Sequence, residues 1–256
     1  SHTHAAALKY FPAPEHVFEG GNRFRDVFRM VANGDTDRGV IPIENTLAGS
    51  LYENYDLLDE SGLPIIGEVS CKIEHSVLMS GENEAPDADL KSVVQVYSHP
   101  KALEQCATFF SQHPWIEAVA ISDTATAARY VSEEARPEIA AIAGKQNADI
   151  YGLQEVQAAV QDNDFNYTRF LVLSKDANSA PQKPDKCSIM MHLPHIPGDL
   201  SEALGFLAAQ GCNLTKIESR PIKDRPYEYA FYLDLVFGQP DRNIREVIDD
   251  FEERVP

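Results

Sequence analysis

Short apolar runs alternate with stretches of helical periodicity from Gly39 to Leu173, and this alternation most restricts the fold. Gly39–Ile43 (GVIPI) reads as a buried strand, and Ala48–Leu58 as a helix with Leu51, Tyr55 and Leu58 on one side. Ile65–Met79 is a long β-rich run. Ser92–Tyr97 (SVVQVY) is a strand, and a helix runs from Pro100 to about Phe110. Ala118–Ile121 is a strand, and Asp123 is the N-cap of a helix over Thr124–Val131. Ile139–Ala143 is a strand followed by a helix to Ile150, and Thr168–Leu173 is a last strand. Strands alternating with helices predict an α/β domain on a largely parallel sheet.

The segment Lys175–Lys186 (KDANSAPQKPDK) is polar, holds two prolines and lacks apolar periodicity, so it reads as a linker. Beyond it come a strand Cys187–Leu193, a helix Leu200–Gln210, strands Leu214–Glu218 and Tyr227–Val236, and a helix Asn243–Glu253. That order, β-α-β-β-α, is one strand short of a ferredoxin-like βαββαβ unit. The 256 residues suit one large domain or two unequal ones, with ample core at 43% apolar content.

The formal charge is −18, from 22 basic and 40 acidic side chains. Residues 1–178 carry net −14 and residues 179–256 net −4. A phosphate backbone must be met by clustered Lys and Arg, and no such cluster is present, so nucleic acid is excluded as a partner. Anionic membrane surfaces are disfavoured for the same reason, and no apolar run approaches a membrane span. Cys71, Cys106, Cys187 and Cys212 form no C-x-x-C pair, which points to free thiols in a reducing cytoplasm rather than disulfides or a zinc site. No Gly-rich phosphate loop occurs, so no nucleotide cofactor is expected, and without a cysteine–histidine ligand pattern no metal is expected either.

In α/β domains ligands sit beyond the carboxyl ends of strands. Unusual polar runs stand at those positions here. Glu44-Asn45-Thr46 follows GVIPI, Ser98-His99-Pro100 follows SVVQVY, and Asp123-Thr124 follows AVAIS. Asn166-Tyr167-Thr168-Arg169-Phe170 precedes the last strand. Each helix start offers free backbone N–H groups and a positive dipole end, so together they predict a pocket for a small anion.

The runs GVIPIENTLAGS (Gly39–Ser50), YSHPKALEQC (Tyr97–Cys106), SDTATAA (Ser122–Ala128) and NYTRF (Asn166–Phe170), in this order, resemble the block motifs of the prephenate dehydratase family. ESRP (Glu218–Pro221) resembles the marker of the ACT domain that follows the catalytic domain in that family. The resemblance implies two α/β lobes of the periplasmic-binding-protein kind with a site between them, then a regulatory domain. The implied boundaries are 1–176 for the dehydratase domain, 177–186 for the linker and 187–256 for the ACT domain. The implied reaction turns prephenate into phenylpyruvate, water and carbon dioxide, a step toward phenylalanine, with no cofactor. Arogenate dehydratase shares the motifs, a chorismate mutase would lie upstream of Ser1, and a non-catalytic binder of small anions is the reading from another class.

By resemblance, Thr168 assists departure of the hydroxyl. A threonine hydroxyl titrates too high for a general acid, so it would donate a hydrogen bond or relay a proton. Glu44 and Asn45 join it as catalytic candidates, Glu44 being either protonated or turned to orient Asn45. Thr3, Thr46, Ser98, His99, Thr124, Asn166, Arg169 and Phe170 are the candidate substrate contacts. Arg169 either grips a substrate carboxylate or makes a structural ion pair.

ACT domains of this type bind phenylalanine at a dimer interface, which assigns Gly198, Leu200, Leu204, Glu218, Ser219, Arg220 and Pro221 to the effector and implies a homodimer or homotetramer. Asp199 stands where the family has Ala and reads as a helix N-cap. The sequence starts inside a family motif at Ser1–Ala5 and stops before a last ACT strand, so a partial chain is expected.

Overall fold

The computed structural model of the chain describes residues 2–12, 14–80, 90–181, 184–222, 225–237 and 244–254. It divides into two compact units, Ser1–Lys175 and Asp176–Pro256. In the first unit the elements are α1 (His2–Tyr10), α2 (Phe24–Asn33), β1 (Arg38–Asn45), β2 (Gly49–Ser50), α3 (Tyr52–Ser61), β3 (Ile65–Lys72) and β4 (Ser76–Ser80). They continue with β5 (Gln95–Ser98), α4 (Pro100–Glu104), α5 (Ala107–Gln112), β6 (Glu117–Ala120), α6 (Thr124–Glu134), β7 (Ile139–Ala143), α7 (Gln146–Tyr151), β8 (Leu153–Gln157) and β9 (Tyr167–Ser174).

These strands make two sheets, ordered β2-β1-β9-β3 and β6-β5-β7-β4-β8. The expectation of largely parallel pairing is corrected. Among the described residues only β5 with β6 and β5 with β7 pair in parallel. In the first sheet β9 runs antiparallel to both of its neighbours, β1 and β3. The α3 crossover leaves a gap between β1 and β3, and a strand returning from the end of the unit fills it. The run Ile65–Met79 is two strands in two sheets, because the chain crosses between sheets at residues 73–75. It crosses back at residues 158–166.

Backbone bonds tie the two crossings together. Ile73 N donates to Asn166 O at 2.7 Å and Val160 N to His75 O at 2.9 Å. The expected helix at Ala48 begins only at Tyr52, because residues 46–51 form a turn that pairs β2 with β1. The helix expected from Pro100 to Phe110 breaks at Gln105–Cys106. There the Asp162 carboxylate accepts from Ala107 N and Thr108 N, both at 2.9 Å, and starts α5 anew.

Every residue of β7 (IAAIA) is buried, so the strand is covered on both faces. Its alanines let Ala127, Ala128 and Val131 of α6 approach closely. Val77, Val96, Phe109 and Ile142 pack in a second cluster. In the other sheet, α2 sits on β1 at Gly39, where a Cβ would come within 2.8 Å of Val31 Cγ2.

The second unit contains β10 (Lys186–Leu193), α8 (Asp199–Ala209), β11 (Cys212–Pro221), β12 (Tyr229–Phe237) and α9 (Ile244–Arg254), in the expected β-α-β-β-α order. Its antiparallel sheet has the order β10-β12-β11, which is the ferredoxin-like order less one edge strand. Leu193, Leu207, Leu233, Leu235, Val247 and Phe251 form its core. The cap of α8 is Gly198, at φ 107°, and Asp199 is the first helical residue rather than the cap. Asn243, expected to open the last helix, lies outside the described residues.

Candidate active site

The polar runs gather where the two sheets are joined. The carboxyl ends of β1 and β3 and the amino end of β9 share one edge, with Asn45 opposite Thr168 and Cys71 opposite Thr168 on the far side. In the second sheet the parallel strands β5, β6 and β7 end together, and Ser76 opens β4 opposite Ala143. Both edges meet the crossings at residues 73–75 and 158–166.

At the first edge the side chains are locked by hydrogen bonds. Asn45 Oδ1 accepts from Leu47 N at 3.0 Å and Ala48 N at 2.8 Å. Its Nδ2 donates to Asn166 Oδ1 at 2.7 Å, Thr168 Oγ1 at 2.9 Å and Tyr167 O at 3.1 Å. Thr168 is buried. Its oxygen accepts, so its own proton is left to donate. Thr46 Oγ1 donates to Phe165 O and accepts from Tyr167 N, which closes the turn.

Arg169 sits on the same strand pair, opposite Glu44. Its Nε donates to Glu44 Oε1 at 2.7 Å and its Nη1 to Glu68 Oε2 at 2.9 Å. The arginine side chain is only 11% exposed. The geometry thus takes the ion-pair branch of the two readings for Arg169. Glu44 faces the guanidinium as its ion-pair partner.

The expected pocket of free helix-start donors is corrected, because the caps consume those donors. Lys101 N donates to His99 Nδ1, and Ala125 N and Thr126 N donate to Asp123 Oδ1. Burial raises the Asp123 pKa, but hydrogen bonds from Thr126, Ala125 and Ser122 outweigh it and hold the carboxyl below its usual value. Ser98 is fully buried and donates to Ile142 O at 2.6 Å, and Phe170 is 1% exposed in the core. Neither offers surface to a ligand. Thr3 on α1, Thr124 at the start of α6 and Nε2 of His99 keep polar groups free of hydrogen bonds among the described residues. No group of three or more His, Cys, Asp or Glu among the described residues is placed to hold a metal ion. The four cysteines carry free thiols, and burial pushes that of Cys106 up to about 12.

The family model for prephenate dehydratase matches residues 1–178. The chain belongs to the prephenate dehydratase family. It is 33% identical over 99% of its length to the bifunctional chorismate mutase/prephenate dehydratase of Escherichia coli K12, covering 65% of that protein. It is 35% identical over 99% of its length to arogenate dehydratase/prephenate dehydratase 1 of Arabidopsis thaliana, covering 66% of it. The chain thus spans about two thirds of the length of these relatives. Among solved structures, a prephenate dehydratase from Arthrobacter aurescens in complex with L-Phe superposes with TM-score 0.83 at 26% identity, over 100% of this chain and 82% of that one. A protein described as a novel type of quorum quenching acylase superposes with TM-score 0.85 at 26% identity, over 99% and 90%.

Two residues of this candidate site escaped the sequence reading. Gln105 Oε1 receives Asn166 Nδ2 at 3.3 Å and lies 3.0 Å from His75 Nε2. Gln105 lies within a quoted motif, but helical periodicity gives an interior glutamine no distinction. His75 did leave a signal, as a histidine interrupting an apolar β run at the point where the chain changes sheet.

In the second unit, Leu200 lines a small open cavity with Leu193, His195, Ile196, Tyr229 and Phe231. Ser219 and Pro221 stand opposite Phe231 and Tyr229 in the sheet, with Arg220 between them. Glu218 is paired with Lys216 at 3.0 Å. Leu204 packs against the core of the unit, and Gly198 caps the helix.

Proposed function

We propose that the chain converts prephenate to phenylpyruvate, water and carbon dioxide, and that residues 187–256 act as an ACT domain that senses phenylalanine. The observation that carries the reading is the Asn45–Thr168 pair. A hydroxyl that accepts a hydrogen bond becomes a stronger donor. The Thr168 proton, unclaimed among the described residues, is then available to the oxygen that leaves the prephenate ring. The carboxylate bond to the ring breaks, its electrons restore aromaticity, and the hydroxyl departs as water after taking up one proton supplied by solvent. Aromatisation provides a large driving force, so orientation and a placed dipole are the protein's main contributions.

Two sheets joined by two crossings support a periplasmic-binding-like pair of lobes, with substrate held between their edges. Thr3, Thr124 and His99 are the contacts proposed for the substrate's polar groups. Glu44 and Arg169 hold the strand pair in register and keep Asn45 opposite Thr168. The sheet order of the second unit, the ESRP segment and the L-Phe complex of the Arthrobacter relative support the regulatory reading, with dimers or tetramers formed through this unit. No helix among the described residues is long and apolar enough to cross a membrane. A cytoplasmic enzyme fits the free thiols.

Incubation of the purified chain with prephenate, arogenate and an acyl amide decides the matter. Phenylpyruvate formed from prephenate is the expected result. Phenylalanine formed from arogenate alone would move the chain to the arogenate class. Acyl-amide hydrolysis, included because one structural neighbour is described as a quorum quenching acylase, is disfavoured because Thr168 is bonded to an amide, which cannot take its proton as a base would.

A further inference from the structure

The geometry points to His75 as a positioning residue of the dehydratase site, donating from Nε2–H to hold Gln105, and through Asn166 the Asn45–Thr168 pair, in the one orientation that the backbone at residues 47–48 allows. This rests on the dehydratase reading of the same site. The backbone supplies the starting point. Leu47 N and Ala48 N can only donate, so the atom of Asn45 they meet is its carbonyl oxygen. The amide nitrogen of Asn45 must therefore be the atom facing Thr168 and Asn166.

Asn166 must then present oxygen to Asn45 and nitrogen to Gln105. Gln105 in turn presents oxygen, at 3.3 Å from Asn166 Nδ2 and 3.0 Å from His75 Nε2. An oxygen cannot donate, so the proton between Gln105 and His75 belongs to Nε2. One backbone constraint thereby fixes three amides and one imidazole tautomer, with no choice left at any step.

Two further observations agree. Nδ1 of His75 is buried with no partner among the described residues. In the Nε2–H tautomer that atom is a lone pair, and a buried acceptor without a partner is more common than a buried donor without one. The His75 backbone is clamped as well, with N donating to Gln161 Oε1 at 2.9 Å and O accepting from Val160 N. His75 is 2% exposed, and its ring meets the His2 ring edge-on at 6.0 Å. A residue held so firmly at the crossing between the sheets can impose its orientation on Gln105. Without the donor, Gln105 is free to turn its nitrogen toward position 75. Asn166 then faces an N–H where it needs an oxygen, and the Asn45–Thr168 bond loosens.

The test has two arms on the intact chain. Long-range proton–nitrogen correlation NMR reads the tautomer of His75 directly, and the Nε2–H form is expected. In the second arm, His75→Phe keeps an aromatic ring but removes the donor, while His75→Gln restores an N–H. The expected outcome is a fall in kcat of roughly 10- to 100-fold for His75→Phe, as for other small misplacements of catalytic groups. KM should stay within about threefold, and His75→Gln should recover much of kcat. An Nδ1–H tautomer overturns the proposal whatever the kinetics. So does an unchanged kcat for His75→Phe, or a loss in both variants that merely follows their loss of stability. A wild-type chain with no turnover of prephenate sinks the dehydratase reading and this role with it. Normal wild-type turnover with an Nδ1–H imidazole sinks the His75 role alone.

Discussion

The Arg169 guanidinium donates to Glu44 across adjacent strands at 2.7 Å, and the same side chain reaches Glu68 at 2.9 Å. One planar cation thus joins β1, β9 and β3 at the edge that carries Thr168. A lysine has one charged nitrogen and cannot donate from two directions held by a rigid fork. Arg169→Lys should therefore leave one half-buried carboxylate without its hydrogen bond and lower stability by about 1–3 kcal/mol. Glu44→Gln keeps an acceptor for Nε and should cost less. Urea denaturation of the two variants checks the order. Equal stability of Arg169→Lys and wild type would mean that the three-strand link carries little.

Thr168→Ser retains the hydroxyl beside Asn45 and should keep much of the turnover. Thr168→Val keeps the shape and removes the donor. By analogy with the loss of one placed donor at other sites of developing charge, kcat should fall by roughly 100- to 1,000-fold. Phenylpyruvate formation under saturating prephenate measures both. Near-normal turnover by Thr168→Val would remove Thr168 from the mechanism.

Much of the architecture is legible in the residues. Strand–helix alternation gave the α/β character of the first unit, and β-α-β-β-α order gave the second. Pairing direction was not legible. Whether β9 lies parallel or antiparallel to β1 depends on where the chain returns from, and an apolar strand looks the same either way. The division of Ile65–Met79 was hidden for a similar reason, since both halves are strand-like. The polar runs do gather where the two sheets are joined, but their composition does not tell what each side chain does there. Ser98, His99 and Asp123 have the composition of ligand contacts and of turn caps alike. Their hydrogen bonds go to the protein's own backbone. The link Asn166–Gln105–His75 spans three segments distant in sequence, so no local pattern reveals it.

Gly39 is tied to packing. A Cβ there would lie 2.8 Å from Val31 Cγ2 and 3.0 Å from Val27 Cγ1. Val31 is fully buried, and a β-branched side chain has few rotamers to escape into. Gly39→Ala should therefore push α2 away from β1 and cost about 1–3 kcal/mol, as overpacking usually does. In a Val31→Ala background the same change should cost distinctly less. A double-mutant cycle by urea denaturation separates the contact from any effect on the unfolded chain. Additive costs would mean that the two residues do not press on each other.

Acid should weaken the fold in two stages. Burial, with a smaller contribution from His75, brings the His2 imidazole from 6.5 down to about 4, and burial also lowers that of His75. Both rings are neutral in the folded protein where they would charge in the unfolded chain. Between about pH 6.5 and 4 the unfolded state therefore binds more protons, and stability falls as pH drops. Above pH 7 these groups contribute no slope. Asp123 and Glu155 are held below their usual values, so the stability they provide is lost only as pH falls through the carboxylate range. Denaturation midpoints across this range should decline already at pH 6 to 5, and His75→Phe should flatten that first stage. A profile level down to pH 4.5 would contradict a neutral buried pair.

Charge bears on substrate capture in the same way. The chain carries −18, and prephenate is a dianion. The positive elements expected to offset that field are spent within the protein. Arg169 is held by two carboxylates, and the N–H groups at the start of α6 are taken by Asp123. On the proposed function, capture works against long-range repulsion and relies on neutral donors such as Thr3, Thr124 and Thr168. Raising ionic strength from about 0.01 to 0.15 M shortens the screening length from about 30 to 8 Å. KM for prephenate should fall over that range while kcat stays level, because the bound substrate sits closer to its donors than the screening length. Steady-state kinetics across a salt series measures it. A KM that climbs with salt would show that local attraction outweighs the field of the whole chain.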